Sequence, residues 1–198
     1  MKAPARRLAP LALAPVLAAL LAGCAGTGAD FPGGVEEGPR RDDKAFGTAC
    51  PQIAPGTADA KALAAAKALQ TIRSTPQLSE FAVLVKNAKA EDMFASMQNV
   101  TVFVPVNAAF AKLSDERRKA LVEPQAAGDT VRSLIVAQDL TREDLGAGAS
   151  HPTLQDGVQL RAAARDGNVT VDGAQVVCGS VTTADARLHL LDALPDLG

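Results

Sequence analysis

Thr101-Val102-Phe103-Val104-Pro105-Val106-Asn107-Ala108-Ala109-Phe110-Ala111-Lys112-Leu113 compresses a strand, a forced turn and a helix into thirteen residues. Thr101 to Val104 is β-branched and aromatic with little polarity, the composition of a strand covered on both faces. Pro105 has no backbone donor and is expected to end the strand's ladder. Asn107 is placed to cap a short helix, its side-chain oxygen accepting from first-turn amides, while Phe110 and Leu113 turn back to the core. The run reads as a structural corner rather than a catalytic loop.

Outward from this corner the chain divides into helices before it and mostly strands after it. Thr57 can cap a helix running through Asp59-Ala60-Lys61-Ala62-Leu63-Ala64-Ala65-Ala66-Lys67-Ala68-Leu69, all but the first aspartate strong helix formers. A second helix is expected from Gln77 to Ala88, with Leu78, Phe81, Leu84 and Val85 at helical spacing as its core face. Ser114-Asp115-Glu116 opens another with a cap and acidic first-turn residues, and Thr130 to Ala137 reads as one more. Past Gly146 the turn pairs Asp156-Gly157, Asp166-Gly167 and Asp172-Gly173 separate candidate strands at Val158–Ala163, Asn168–Val171, Gln175–Val177 and Arg187–Leu191. The last alternates enough to predict one exposed face. Helices first and strands second argue for a single α+β domain.

The corner resembles the first signature of the fasciclin (FAS1) domain family, roughly T-V-F-A-P-T-N-x-A-F, through Thr101, Phe103, Pro105, Asn107 and Phe110. A second family signature, V-x-G-A-x-V-V leading to a hydrophobic strand that ends in Asp, is matched by Val171-Asp172-Gly173-Ala174-Gln175-Val176-Val177 and Leu188-His189-Leu190-Leu191-Asp192. The resemblance spans roughly Thr57 to Leu194. It implies a wedge-shaped β-sandwich with helices packed along one edge, a structural role for the signature residues Gly173, Ala174, His189 and Asp192, and no cofactor. One departure stands out. The family's Tyr-His pair falls where this chain has Ser133 and Leu134, and the chain contains no tyrosine. Adhesion through that motif is therefore not carried over.

The N-terminus reads as an address. Lys2, Arg6 and Arg7 precede an apolar stretch from Leu8 to Leu21, and Leu21-Ala22-Gly23-Cys24 has the form of a bacterial lipobox. The apolar run is short against the roughly 20 residues a spanning helix needs. Residues 1–23 are thus expected to be a lipoprotein signal peptide, with Cys24 carrying the lipid that tethers the chain to the extracytoplasmic face of a bacterial membrane. Residues 24–49, rich in Gly, Pro and charge, are expected to be a flexible tether, and 50–198 the fasciclin domain. Removing the signal changes 20 basic and 22 acidic groups to 17 and 22, a formal charge of −5, which excludes nucleic acid as a natural partner.

Lipidation of Cys24 leaves Cys50 and Cys178 as a pair in an oxidising compartment. Similarity to secreted bacterial fasciclin proteins that pin their N-terminal segment implies a disulfide between them. Two free thiols or a metal pair are the alternatives, although with only His151 and His189 in the chain nothing has zinc-ligand spacing.

No nucleophile elbow, phosphate loop or metalloprotease motif is present. His189 is expected on a solvent-facing or helix-covered side, and His151 in a Gly-rich loop, both in structural or surface roles. Glu36-Glu37, Asp42-Asp43 and Glu91-Asp92 read as solvated charge, and the sequons at Asn99 and Asn168 have no general use in a bacterial lipoprotein. No catalytic or metal-binding residue is assigned. The leading expectation is a lipid-anchored, non-catalytic surface module for adhesion to a protein or glycan partner. The alternative is a carrier or sensor of a small apolar ligand, with Met93, Phe94 and Met97 lining a cleft.

Overall fold

Thr101 to Pro105 does form the buried centre of the fold. The computed structural model describes residues 44–53 and 60–196. The lipobox with Cys24, most of the tether span and Thr57 lie outside the described residues. β1 (Val100–Pro105) is buried along its whole length. It pairs in parallel with the last strand, β7 (Ala186–Leu191), from Val100 opposite Ala186 to Pro105 opposite Leu191. The ladder outlasts the proline by one bond, because Val106 N–H donates to the Leu191 carbonyl at 2.9 Å.

Around this pair one sheet is assembled from β2 (Ile135–Val136), β3 (Ser150–Pro152), β4 (Gln159–Arg165), β5 (Asn168–Val171) and β6 (Ala174–Thr182), in the order β2-β1-β7-β6-β5-β4-β3. The two ends of the order meet: Val136 bridges Thr153, and Leu154 N–H donates to the Ile135 carbonyl at 2.8 Å. The sheet thereby becomes a near-barrel and protects its edge strands. The Asp166-Gly167 and Asp172-Gly173 turns have both residues at positive φ, as tight hairpins require.

The helices are α1 (Cys50–Ile53), α2 (Ala60–Ala65), α3 (Ala68–Ser74), α4 (Ser79–Asn87), α5 (Glu91–Ser96), α6 (Asn107–Ala111), α7 (Asp115–Ala120), α8 (Pro124–Ser133) and α9 (Arg142–Gly146). Leu78, Phe81, Leu84 and Val85 are buried, as their spacing predicts. Ser114 caps α7 by accepting from Arg117 N–H. With the helices and the mixed sheet, the α+β class is confirmed.

Local expectations fail where tertiary bonds outcompete propensity. The helix expected to run unbroken to Leu69 stops at Ala65 and restarts at Ala68. The Ala66 carbonyl accepts from Ala184 N–H, and Ala68 N–H donates to Asp185 Oδ1, both at 2.8 Å, so the loop before β7 captures the break. The helix placed at Thr130–Ala137 instead starts at Pro124 and ends at Ser133, since the Leu134 carbonyl accepts from Phe103 N–H and draws the chain into the sheet. Asn107 does not cap its own helix. β7 has no exposed face, and His151 is not in a loop but buried in β3.

Candidate functional site

β7 carries Arg187 and His189 two residues apart, hence on one face of the central strand. The buried His189 stacks on Phe103, its partner across the parallel pair, with ring centroids 5.6 Å apart. Ser180 N–H donates to His189 Nδ1 at 3.2 Å, and Nε2 lies 3.0 Å from the Leu140 carbonyl. An acceptor at Nδ1 and a donor at Nε2 define the neutral imidazole with its proton on Nε2. A bulge makes this geometry available. The β6–β7 register shifts between Cys178 and Val181, and Ser180 sits at φ +58°, which turns its amide out of the ladder.

Arg187 lies beside it with its side chain wholly buried, held by Asp139 through Nε–Oδ1 at 2.6 Å and Nη2–Oδ2 at 3.1 Å. Thr101 Oγ1 completes the set, donating to the Gln138 carbonyl at 2.7 Å and accepting from Leu140 N–H at 2.8 Å. Three side chains of the two central strands thus fasten one irregular connector, Gln138 to Leu140. Their polar groups meet backbone and a carboxylate that would otherwise be buried unpaired.

A second construction covers this region. Phe46 pairs with Gly179 of β6 in an antiparallel bridge, with bonds of 3.1 and 2.7 Å, and Ala49 N–H donates to the Val177 carbonyl at 3.2 Å. Cys50 and Cys178 are joined in a disulfide, with Cα atoms 4.7 Å apart. These residues form a strap at the end of the span read as tether. The Phe46 ring lies 6.2 Å from the His189 ring and occupies the space a Cβ at Gly179 would take, 2.3 Å from its Cζ. Arg142, at the start of α9, places its guanidinium carbon 4.6 Å from the centre of the same ring. A capping box between Thr141 and Asp144 fixes that helix start.

The remaining sequence-assigned residues fall elsewhere. Asn107 and Phe110 join α6 to the helical side, where Asn107 Oδ1 accepts from Glu80 N–H of α4. Gly173 and Ala174 form the β5–β6 turn. Asp192 accepts from Gln175 N–H at 2.8 Å and pairs with Lys112 at 3.1 Å. The signatures therefore mark three structural joints and not one reactive centre. Among the described residues no group of three His, Cys, Asp or Glu side chains could hold a metal ion. Sequence reading missed Arg187, Asp139, Asp185, Phe46 and Arg142. The only available signal was the two-residue spacing of Arg187 and His189, and that was taken for an exposed face.

A family model for the fasciclin domain matches residues 76–194, more than half of the chain. The chain belongs to the fasciclin domain family. Among solved structures it is similar to a FAS1 domain pair from the insect cell adhesion molecule fasciclin I, with 18% identity and a TM-score of 0.57 over 65% of this chain. The chain covers half the length of that solved chain, and the likeness is one of fold. No curated protein matches the sequence.

On this fasciclin domain two grooves along the helices are lined by described residues. One, about 480 Å³, is lined by Leu69, Phe94, Lys67 and Arg73. Met97 is buried and Met93 half-buried, and neither lines it, so only Phe94 of the three expected side chains does. The other, about 100 Å³, lies between α4 and α7 and is lined by Val83, Val122, Glu80 and Arg118. Val83 and Val122, 53% and 62% exposed, are the large exposed hydrophobics among the described residues, and both fall on this groove.

Proposed function

We propose that this fasciclin domain is a non-catalytic interaction module, anchored through a lipid on Cys24 to the extracytoplasmic face of a bacterial membrane, which adheres to a protein or glycan at the cell surface. The observation that carries the reading is the division of labour between inside and outside. His189 and Arg187, side chains with catalytic potential, are buried and bound to backbone and to Asp139. The large exposed apolar side chains, Val83 and Val122, share one groove at the helical edge. Exposed apolar surface rimmed by Glu80 and Arg118 is the chemistry of a contact surface. The fold neighbour from an insect cell adhesion molecule supports the same reading by analogy.

The test compares cells displaying the full chain with cells displaying Val83→Asp/Val122→Asp. Loss of adherence at equal surface amount and equal melting temperature is expected. Adherence that survives the double change, or wild-type cells no more adherent than cells lacking the protein, overturns the reading. Replacement Cys24→Ala should release the chain from the membrane fraction and abolish labelling by an alkyne fatty acid.

The groove at Leu69 and Phe94 favours a second reading, a carrier of a small apolar ligand, because its volume lies within the range of small-molecule sites. Native mass spectrometry of the protein extracted in mild detergent separates the two. A bound apolar adduct lost on Phe94→Ala supports the carrier.

A further inference from the structure

The strap and the β5–β6 hairpin enclose a cavity of about 290 Å³ that neither of those readings uses. Phe46, Gly47 and Thr48 make one wall and Asn168, Gln175 and Val177 the other, with Arg142 at its side. Its size is near the lower end of the roughly 300–1,000 Å³ typical of small-molecule sites. Both walls are held firmly. Cys50–Cys178 and the Phe46–Gly179 bridge fix the strap, and the tight Asp172-Gly173 turn fixes the hairpin. Gly47 lets the strap approach closely, since a Cβ there would meet the Val177 carbonyl oxygen at 2.3 Å and its φ is +109°.

The chemistry of the lining is selective. Among the described residues that line it, Arg142 is the charged one, on a protein whose formal charge is negative. Stacked on Phe46 and donating to the Gly167 carbonyl at 3.2 Å, its guanidinium is pre-oriented. Such a planar fork matches a carboxylate. Asn168 and Gln175 bring two carboxamides to the same face of the hairpin. Gln175 Nε2 reaches Asn168 Oδ1 at 3.5 Å, the outer limit of a hydrogen bond. Asn168 Nδ2 and Gln175 Oε1 have no protein partner among the described residues, so a donor and an acceptor stand side by side. That pairing suits adjacent hydroxyl groups, each of which both donates and accepts. The half-buried Val177, on the same face of β6 as Gln175, offers apolar surface for C–H groups.

We infer that this cavity binds a carboxylated polyol of monosaccharide size, of the uronic acid class, with the carboxylate on Arg142 and vicinal hydroxyls on Asn168 and Gln175. The site is distinct from the helical-edge groove and stands whether or not that groove mediates adhesion.

The experiment titrates the full-length protein in detergent with D-glucuronate and follows the side-chain amide NMR signals of Asn168 and Gln175. D-Glucose and acetate are the controls. Saturable shifts with glucuronate, and weaker ones with each control, are expected. Arg142→Gln should weaken glucuronate at least about tenfold, the loss of one charge-assisted bond. Asn168→Ala, which leaves the strap untouched, should weaken it in the same direction. Reducing the disulfide should do so as well, by freeing one wall. The inference is overturned if the amides do not respond, if glucose matches glucuronate, if acetate alone reproduces the titration, or if both substitutions leave the affinity unchanged. Val83→Asp/Val122→Asp should not alter this titration.

Discussion

Asn107 caps a helix to which it does not belong: its Oδ1 accepts from Glu80 N–H in the first turn of α4 at 3.0 Å, and its Nδ2 donates to the Pro76 carbonyl and to Ser79 Oγ at 3.0 Å each. The bond closes a gap of 27 residues and pins the helical edge to the end of the central strand. Replacement by Ala should cost about 1–2 kcal/mol, the upper range for a lost cap. Asn107→Asp, which keeps the acceptor and loses both donors, should fall between. Urea denaturation gives the stabilities, and faster amide exchange at Glu80 would locate the loss.

His189→Leu keeps bulk in the core but leaves the Ser180 N–H and the Leu140 carbonyl buried without their partner. Each orphaned group costs about 1–3 kcal/mol, so calorimetry should show a large drop in melting temperature with the fold retained. Nitrogen NMR of the wild type should find the proton on Nε2. A proton on Nδ1 would contradict the bonding described.

Asp139→Ala removes the carboxylate that holds the buried Arg187 guanidinium, and should cost about 3–5 kcal/mol. A double change to Asp139→Leu and Arg187→Met should recover much of it, because paired apolar side chains avoid the desolvation of both ions. If the double variant is no more stable than the single one in chemical denaturation, the pair matters for more than charge compensation.

Glu116, in the first turn of α7, has its carboxyl held below the usual carboxylate range by its own backbone amide and then by the Ser114 hydroxyl. Its folded form is therefore the stronger acid. The stabilisation is present at neutral pH and disappears as pH falls through the lowered value. The group is fully exposed, so the effect is confined to fraying of α7. An NMR titration of Glu116 should move toward the ordinary value in Ser114→Ala, and no movement would remove the hydroxyl from the account.

Much of the centre was legible from the residues. The apolar β-branched run of β1, the Asp-Gly turns and the periodic face of α4 are local signals, and local physics decided them. The features that were misread depend on contacts outside their own segment, 117 positions away for Ala68 and Asp185 and 48 and 49 for the partners of Arg187 and His189. Asp185 interrupts the alanine-rich helix at Ala66 and Lys67, which helix propensity alone would never break. Arg187 and His189 alternate with leucines as an exposed strand would. Their burial depends on Asp139, the Leu140 carbonyl and a bulge at Ser180, none of which leaves a periodic trace. The cavity beneath the strap depends on Phe46 and Gly179 meeting, and that contact follows from a disulfide whose position the sequence shows but whose geometry it does not.

The strap has a mechanical consequence. A pull on the chain ahead of Lys44 arrives first at Phe46 to Cys50, where it is passed into β6 through the paired backbone at Gly179 and the covalent link at Cys178. The load enters the sheet beside its central strand. The load therefore enters the sheet without first peeling α2 and α3 from it, as it would in a chain secured only by its first helix.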